Sequence, residues 1–400
     1  MNFLSDKLSA IKPSQGLELI RIVAELKKAG KDVISLGAGE PDFDTPEHVK
    51  EAAIRAMRAG QTKYTTVDGT MECKEAVAAK FKRENRLDFK PSQISVNNGT
   101  KHTIFNALFA TLNPGEEVLI PAPYWMSYPD MVRLAGGVPR IIKTSFANRY
   151  KLTPDELDAA ISPKTKWFIF NSPSNPTGTG YTLDEMKALA EVVRRHPHLH
   201  VMTDDIYEHI VYDGFAFGTL LNVAPDLAER VLTVNGVAKA YAMTGWRIGF
   251  AGGPEPLIKA MAKVQSQSTS NPNSISQAAT IAALTGPQDV VRERARIFQT
   301  RRDKVLSMLG QAKGLKCFRP EGAFYIFADC AGLIGKTTPE GKRLETDQDV
   351  TAYFLEAKGV AGIPGAMFGL SPCIRLSYAT SMEALDEACR RIQDACARLT

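Results

Sequence analysis

The chain has 400 residues, enough for two domains, and its 44% hydrophobic and 23% charged residues are the composition of an ordinary globular protein. Lys plus Arg number 49 against 44 Asp plus Glu, a net charge of +5 with no basic run interleaved with aromatics, so a nucleic-acid partner is not expected. No stretch approaches the length of a membrane span, and "MNFLSDKLSAIKPS" is charged too early for a secretory leader, so a cytoplasmic protein without a membrane partner is expected.

Short apolar runs then alternate with longer amphipathic ones. The strand candidates are "QISV" (93–96), "EEVLIP" (116–121), "VPRIIKT" (138–144), "KWFIF" (166–170), "LHVMT" (199–203), "RVLTV" (230–234) and "RIGFAG" (247–252). Between them lie helical patterns such as "TLDEMKALAEVVRRH" (182–196), with apolar residues at steps of three and four. Runs apolar on both faces, such as "WFIF", belong in a sheet covered by helices on both sides. The alternation predicts an α/β fold with a doubly wound, mostly parallel sheet.

After about residue 290 the texture changes to a long charged helix, "VVRERARIFQTRRDKVLSMLG", followed by "GAFYIFADC", "DVTAYFLEAKGV", "CIRLSYA" and a final helix, "SMEALDEACRRIQDACARL". This predicts a smaller α+β domain. The expected division is an N-terminal segment 1–45 packed with the small domain, a large domain 46–290 and a small domain 291–400. The six cysteines show no paired or metal-binding spacing and read as reduced thiols. Cys389 and Cys396, seven apart, fall on one face of the last helix and read as packing.

In open α/β sheets ligands gather beyond the C-terminal ends of the strands. After "QISV" comes "NNGTKHTIFNALFATL", a glycine turn opening a helix whose free N–H groups suit a phosphate. After "EEVLIP" comes "APYWMSYP", which brings Tyr124 and Trp125 to the rim, where an aromatic can stack on a flat ring or merely line a loop. After "KWFIF" comes "NSPSNPTGTG", in which Asn175 is either an amide donor to a ligand or a turn residue. After "LHVMT" comes "DDIYEHI", where Asp204 ends an apolar strand and needs a cation, with Tyr207 three residues on. After "RVLTV" comes "NGVAKAYAMTGWRIG", in which Lys239 is crowded by small residues and Arg247 is flanked by glycines. A lysine placed for desolvation has a lowered pKa and acts as an amine nucleophile; the bland alternative is a lysine snorkelling from the edge of a core. A phosphate turn, an aromatic plate, an amide, a carboxylate with a tyrosine, and a lysine with an arginine form the set that pyridoxal phosphate requires.

The motifs "SLGAGEPDFDTP" (35–46), "KYTTVDG" (63–69), "PAPYWMSYP" (121–129), "NSPSNPTG" (171–178), "DDIYEHI" (204–210), "VNGVAKAYAMTGWRIG" (234–249), "QSQSTSNPNSISQAA" (265–279) and "IRLSYA" (374–379) stand in order along the chain. In these it resembles the class I aminotransferases of pyridoxal-phosphate fold type I, and most closely the bacterial aspartate aminotransferases of subgroup Ib, some of which also use prephenate. The resemblance implies a large domain with a mostly parallel seven-stranded sheet and a smaller α+β domain. It implies that Lys239 bonds the cofactor and then shuttles the substrate proton, that Asp204 pairs with the pyridine nitrogen, and that Tyr207 and Asn175 contact the ring oxygen. By the same resemblance Trp125 stacks on the ring, and Gly99, Thr100, Lys101 and Arg247 surround the phosphate. Tyr64 reaches the phosphate of a neighbouring subunit, which implies a homodimer with shared active sites. Arg375 grips the substrate α-carboxylate with Asn175 and the Gly39 backbone beside it, and Lys12 and Lys101 are candidates for a distal carboxylate. The implied reaction is ping-pong transfer of an amino group from an L-amino acid such as aspartate or glutamate to a 2-oxo acid such as 2-oxoglutarate, oxaloacetate or prephenate.

The chain departs from the subgroup pattern at "KPSQGLEL" (12–19), "YTTVDGTME" (64–72), "GIPGAMFG" (362–369) and "SPCIR" (371–375). A broader aromatic or aliphatic range is therefore a competing expectation, as is a lyase or decarboxylase on the same scaffold. A cofactor-sensing regulator is disfavoured because no helix-turn-helix pattern is evident. "GAGEPD" (37–42) lacks the third glycine of a dinucleotide turn and Pro41 stops the helix start. In "HPHLH" (196–200), His198 and His200 lead into a predicted strand without companion ligands, so no metal is expected.

Overall fold

Each of the seven apolar runs becomes a strand of one sheet. In chain order these are β1 (Ile94–Asn97), β2 (Glu117–Ala122), β3 (Val138–Lys143), β4 (Thr165–Asn171), β5 (His200–Asp204), β6 (Val231–Gly236) and β7 (Gly249–Gly252). The computed structural model describes residues 3–5, 8, 9, 11 and 15–400, with side chains left aside over 15–20. The spatial order of the sheet is β1-β7-β6-β5-β4-β2-β3. β7 alone runs antiparallel to its neighbours β1 and β6, and the other pairs are parallel.

The central strands alternate between two cores because successive side chains point to opposite faces. Leu119, Phe168, Phe170 and Val201 enter one core together with Met186, Leu189 and Val193 of the helix Leu183–Arg195. Val118, Ile120, Trp167, Ile169 and Met202 enter the other with Ile104, Leu108, Ile258 and Met261. That is the reason "WFIF" (167–170) carries no polar residue: neither face meets water. The helix Leu183–Arg195 starts at a capping box in which Thr182 and Glu185 satisfy each other's backbone N–H groups.

A second sheet holds Ile363–Pro364, Cys373–Ser377 and Tyr325–Asp329 in that order, all antiparallel. Its core takes Phe298, Val305 and Leu309 from the long helix Asp289–Leu309 and Leu385, Cys389, Ile392 and Cys396 from the last helix, Met382–Ala397. Cys389 and Cys396 are both buried there, as packing on one helix face requires. The N-terminal segment joins this part through Ile34–Ser35, which pairs in parallel with Val360–Ala361. Asp42 then forms a double ion pair with Arg301 of the long helix, at 2.7 and 2.8 Å.

β7 begins at Gly249, two residues later than the run "RIGFAG" predicts. Thr244–Trp246 form a 3-10 turn, and Arg247 takes a left-handed backbone conformation (φ 56°, ψ 51°). That conformation ends the turn and aims the chain into a strand of reversed direction. Because β7 is reversed, its first residue lies at the sheet edge where β1 and β6 end: Gly249 pairs with both Asn97 and Gly236. A Cβ at Gly249 would overlap the Thr100 backbone nitrogen, so only glycine lets β7 lie against the turn that follows β1. Gly249→Ala is therefore expected to lower unfolding stability by about 1–3 kcal/mol, through overpacking against backbone that cannot yield. A denaturant titration followed by circular dichroism measures it, and an unchanged midpoint would show that the turn relaxes freely.

Candidate active site

A cleft of about 450 Å³ opens at this edge. Ten of the residues singled out from the sequence line it: Gly39, Thr100, Lys101, Trp125, Asn175, Asp204, Tyr207, Lys239, Arg247 and Arg375. They arrive from separate strand ends and from the second sheet, whose strand Cys373–Ser377 supplies Arg375. Gly99 lies directly behind Arg247, whose guanidinium occupies the space a Cβ at Gly99 would need. Tyr64 is not part of the cleft; it projects from its loop with 90% of its surface exposed. Lys12 lies outside the described residues.

Lys239 follows β6, and its Nζ donates a hydrogen bond to the Gly39 carbonyl at 2.5 Å. Burial pushes its pKa down to about 8; Glu40 and Asp204 pull the other way, and Arg375 and Arg247 add to the depression. Near neutral pH a useful fraction of this amine is uncharged and able to attack a carbonyl carbon. Asp204 sits at the end of β5, almost fully buried, with its Oδ2 accepting from the Tyr128 hydroxyl at 2.6 Å. Its Oδ1 has no hydrogen-bond partner. Burial raises the Asp204 pKa to about 6, against the opposing pull of the Tyr128 hydrogen bond, the Ile206 N–H and the Lys239 charge.

Two anion positions flank this pair. At one, the helix Thr100–Thr111 begins on Gly99 (φ 92°), with free N–H groups at its start and the Arg247 guanidinium alongside. Lys101 stands on the same turn with its ammonium 5.0 Å from the Trp125 ring centre. Burial, with Arg247 nearby, holds its pKa below that of an ordinary lysine. At the other position Arg375 is buried, with its Nη1 donating to Asn175 Oδ1 (2.9 Å) and its Nη2 to the Gly37 carbonyl (2.7 Å). Its plane packs against Tyr325 and Phe368, 4.6 and 4.9 Å from the ring centres. Its Nε is buried without a partner, a donor held ready for a carboxylate.

Several contributors were not evident in the sequence. Tyr128 bonds Asp204 and also presses its ring edge-on to Trp125, with centroids 5.2 Å apart, so it orients both. Trp125 and Tyr128 are three residues apart, a separation that a helical turn converts into one face. Asn171, the last residue of β4, donates to the Asp204 carbonyl (2.7 Å) and accepts from the Asn175 N–H (2.9 Å), which ties two strand ends together. Tyr325 hydrogen-bonds Tyr207 hydroxyl to hydroxyl at 2.8 Å. Only its place in a strand pattern of the second sheet pointed to it.

A sequence model of the family Aminotransferase class I and II matches residues 31–392. The chain belongs to this family. It is 56% identical over 400 residues to the aspartate/prephenate aminotransferase of Cereibacter sphaeroides, covering 100% of both chains. It is 55% identical over 396 residues to an aspartate aminotransferase of Rhizobium meliloti, covering 99% of this chain and 97% of that one. The crystal structure of the aspartate aminotransferase from Rhizobium meliloti superposes with a TM-score of 0.97 at 54% identity, over 99% of each chain. The Thermus thermophilus aspartate aminotransferase with maleate superposes with a TM-score of 0.91 at 43% identity, over 99% of this chain and 100% of that one. The chain is thus an aminotransferase with pyridoxal-phosphate fold type I, and the enzymes of this family use that cofactor.

No helix among the described residues is long and apolar enough to cross a membrane. Each histidine of "HPHLH" makes a hydrogen bond: His196 with Asp158, His198 with the Ser162 carbonyl and His200 with the His198 carbonyl.

The raised pKa of Asp204 has a stability consequence. Its carboxyl ionises near 6 in the folded chain and near 3.8 in the unfolded one, so the cofactor-free fold bears a cost of about 3 kcal/mol above pH 6. Asp204→Asn is expected to raise the melting temperature of the cofactor-free protein above pH 6. The gain should fade as pH falls towards 4, where both folded and unfolded carboxyl groups are protonated. A series of thermal melts from pH 4 to 8 reads it, and a gain independent of pH would contradict the assignment.

Proposed function

We propose that this aminotransferase binds pyridoxal phosphate through Lys239 and works as an aspartate-type enzyme. It moves the amino group of L-aspartate or L-glutamate to 2-oxoglutarate, oxaloacetate or prephenate by a ping-pong reaction, as a cytoplasmic homodimer. The observation that carries the proposal is the buried, unpartnered Oδ1 of Asp204 in the same cleft as an amine of depressed pKa. An acceptor left bare in a buried site is costly unless a ligand donor meets it, and a protonated pyridine nitrogen is such a donor. The glycine cradle at Gly99 with Arg247 suits the phosphate group, and Trp125 offers the ring a face.

When bound, the cofactor supplies a carbonyl for bonding to amines and an electron sink for the carbon that loses its proton. The protein residues do the rest. With the cofactor and substrate bound, Lys239 would be the base positioned to take the proton from the substrate α-carbon and to give it back on the cofactor side. Asp204, oriented by Tyr128 and Asn171, holds a proton on the ring nitrogen. Tyr207 and Asn175 hydrogen-bond the ring oxygen, with Tyr207 steadied by Tyr325. Thr100, Lys101 and Arg247 hold the phosphate, and Tyr64 of one subunit reaches the phosphate in the other. Its exposure in the single chain supports that role. Arg375 binds the α-carboxylate as a fork beside Asn175 and the Gly39 backbone, and Lys101 and Lys12 meet a distal carboxylate. Residues 46–290 form the cofactor domain, with 291–400 and the segment 1–45 forming the small one.

Aspartate-type selectivity is supported by where the departures from the subgroup pattern fall. Cys373 and Met367 pack with Tyr150, Phe327 and Phe368 behind the cleft, and Cys373 Sγ lies 3.3 Å from the Tyr150 hydroxyl. Thr70 caps the helix Met71–Lys80. Among the described residues of these stretches, Ile363 and the Arg375 that the subgroup pattern itself expects reach the lining. The names of the relatives and the maleate, a dicarboxylate, carried by the Thermus thermophilus enzyme point the same way.

The test presents single amino acids to the cofactor-loaded enzyme without an acceptor and follows the cofactor absorbance. L-Aspartate and L-glutamate are expected to convert it to the pyridoxamine form within seconds, and prephenate or 2-oxoglutarate to restore it. Conversion by aromatic or aliphatic amino acids alone would overturn aspartate-type selectivity. Steady release of ammonia or of a decarboxylated amine without any acceptor would favour a lyase or decarboxylase.

A further inference from the structure

The loop 61–70 joins the helix Glu47–Arg58 to the helix Met71–Lys80 and displays Tyr64 at the surface. Beneath it lie Gln265 and Gln277, both with no exposed surface. Gln265, on the helix Glu255–Ser266, donates from Nε2 to the carbonyls of Val67 (2.5 Å) and Val96 (3.0 Å). Its Oε1 accepts from Asn97 Nδ2 (2.6 Å) and Asn106 Nδ2 (3.0 Å). Both amide hydrogens and both acceptor positions are occupied, so the group has one orientation and no slack. Val96 and Asn97 end β1 immediately before the Gly99 turn, and Asn106 stands on the helix that the turn opens. One amide therefore grips the anion-binding turn from its strand side and its helix side, and grips the Tyr64 loop at Val67. The backbone bond from Val96 N–H to the Asp68 carbonyl (2.9 Å) runs beside it.

Gln277 is anchored differently. Its Oε1 accepts from the Thr70 N–H (2.7 Å), and its Nε2 donates to Thr65 Oγ1 (3.1 Å) and the Pro272 carbonyl (2.9 Å). It clamps the loop on both sides of Val67 and makes no hydrogen bond to the turn.

We infer that Gln265 is a positioning residue for two active sites at once: the phosphate turn of its own subunit, and the Tyr64 loop that completes the site of the neighbouring subunit. This rests on the proposed homodimer in which Tyr64 crosses to the other site. Gln277 positions the loop alone. Displacement of the turn is passed to the loop through a buried amide with no alternative partner, and the two cofactor sites of the dimer share this element.

Hybrid dimers test the inference. Two differently tagged chains, one wild type and one Gln265→Met, are co-expressed, purified through both tags, stripped of cofactor and titrated with pyridoxal phosphate. Quenching of tryptophan fluorescence reports binding, since Trp125 lines the cleft. Both sites are expected to weaken by roughly tenfold, the scale of one net hydrogen-bond contribution. Half the sites keeping wild-type affinity would overturn the inference, because Gln265 would then serve only its own turn. In the same format Gln277→Met is expected to leave half the sites at wild-type affinity, and weakening at all of them would overturn the separation of roles. Gln265→Asn, one methylene shorter, carries the same test if the methionine chain does not fold. A wild-type protein that sediments as a monomer overturns the dimer and the inference together, whereas an intact hybrid with half its sites unaffected overturns the inference alone.

Discussion

The cleft is organised around an amine withheld from water. An ammonium group at Lys239 is disfavoured by burial and by the cations Arg247 and Arg375, and supported by Glu40 and Asp204. The balance leaves a group that loses its proton about where cells operate, which a surface lysine cannot do. Placing it there demands that backbone approach closely from three sides. The reversed strand Gly249–Gly252, the end of Val231–Gly236 and the glycine turn before Thr100 crowd one corner, and side chains on Gly236 or Gly249 would fill it. The same crowding sets Arg247 against Gly99, so the anion position and the amine position are fixed by one packing constraint.

Around that corner Asp204, Tyr207 and Arg375 are each oriented by neutral partners. Tyr128 and Asn171 hold Asp204, Tyr325 holds Tyr207, and Asn175 with the Gly37 carbonyl holds Arg375. What these partners leave open is informative: one carboxylate oxygen of Asp204 and the Nε of Arg375. The bare groups are an acceptor and a donor in the same cleft, matching a protonated ring and a substrate carboxylate.

Much of this was legible in the sequence, for definite reasons. Strands apolar on both faces stood out as continuous runs, and the rule that ligands gather beyond strand ends turned the following residues into candidates. Lys239, Asp204, Asn175 and Arg247 were found that way. The apolar pattern nevertheless puts Arg247 inside a strand, because a left-handed arginine between two glycines leaves no mark on it. Tyr128 and Tyr325 read as ordinary core aromatics, since only three-dimensional placement shows that their hydroxyls meet Asp204 and Tyr207. Gln265 was still less visible. A glutamine amid polar residues near the end of a helix looks like surface, and its role depends on four partners spread over about 40 positions of the chain, one of them in the Tyr64 loop. The altered stretches near 363–373 looked like changes to the substrate pocket, and most of them turned out to pack behind it.

The central claim is that one lysine among many is the reactive amine. Borohydride reduction of the protein loaded with pyridoxal phosphate, followed by proteolysis and mass mapping, fixes the cofactor to whichever amine holds it. The account predicts a single modified peptide with the added mass on Lys239. Modification of Lys101 in the same cleft, or label spread over surface lysines with Lys239 unmodified, would contradict it.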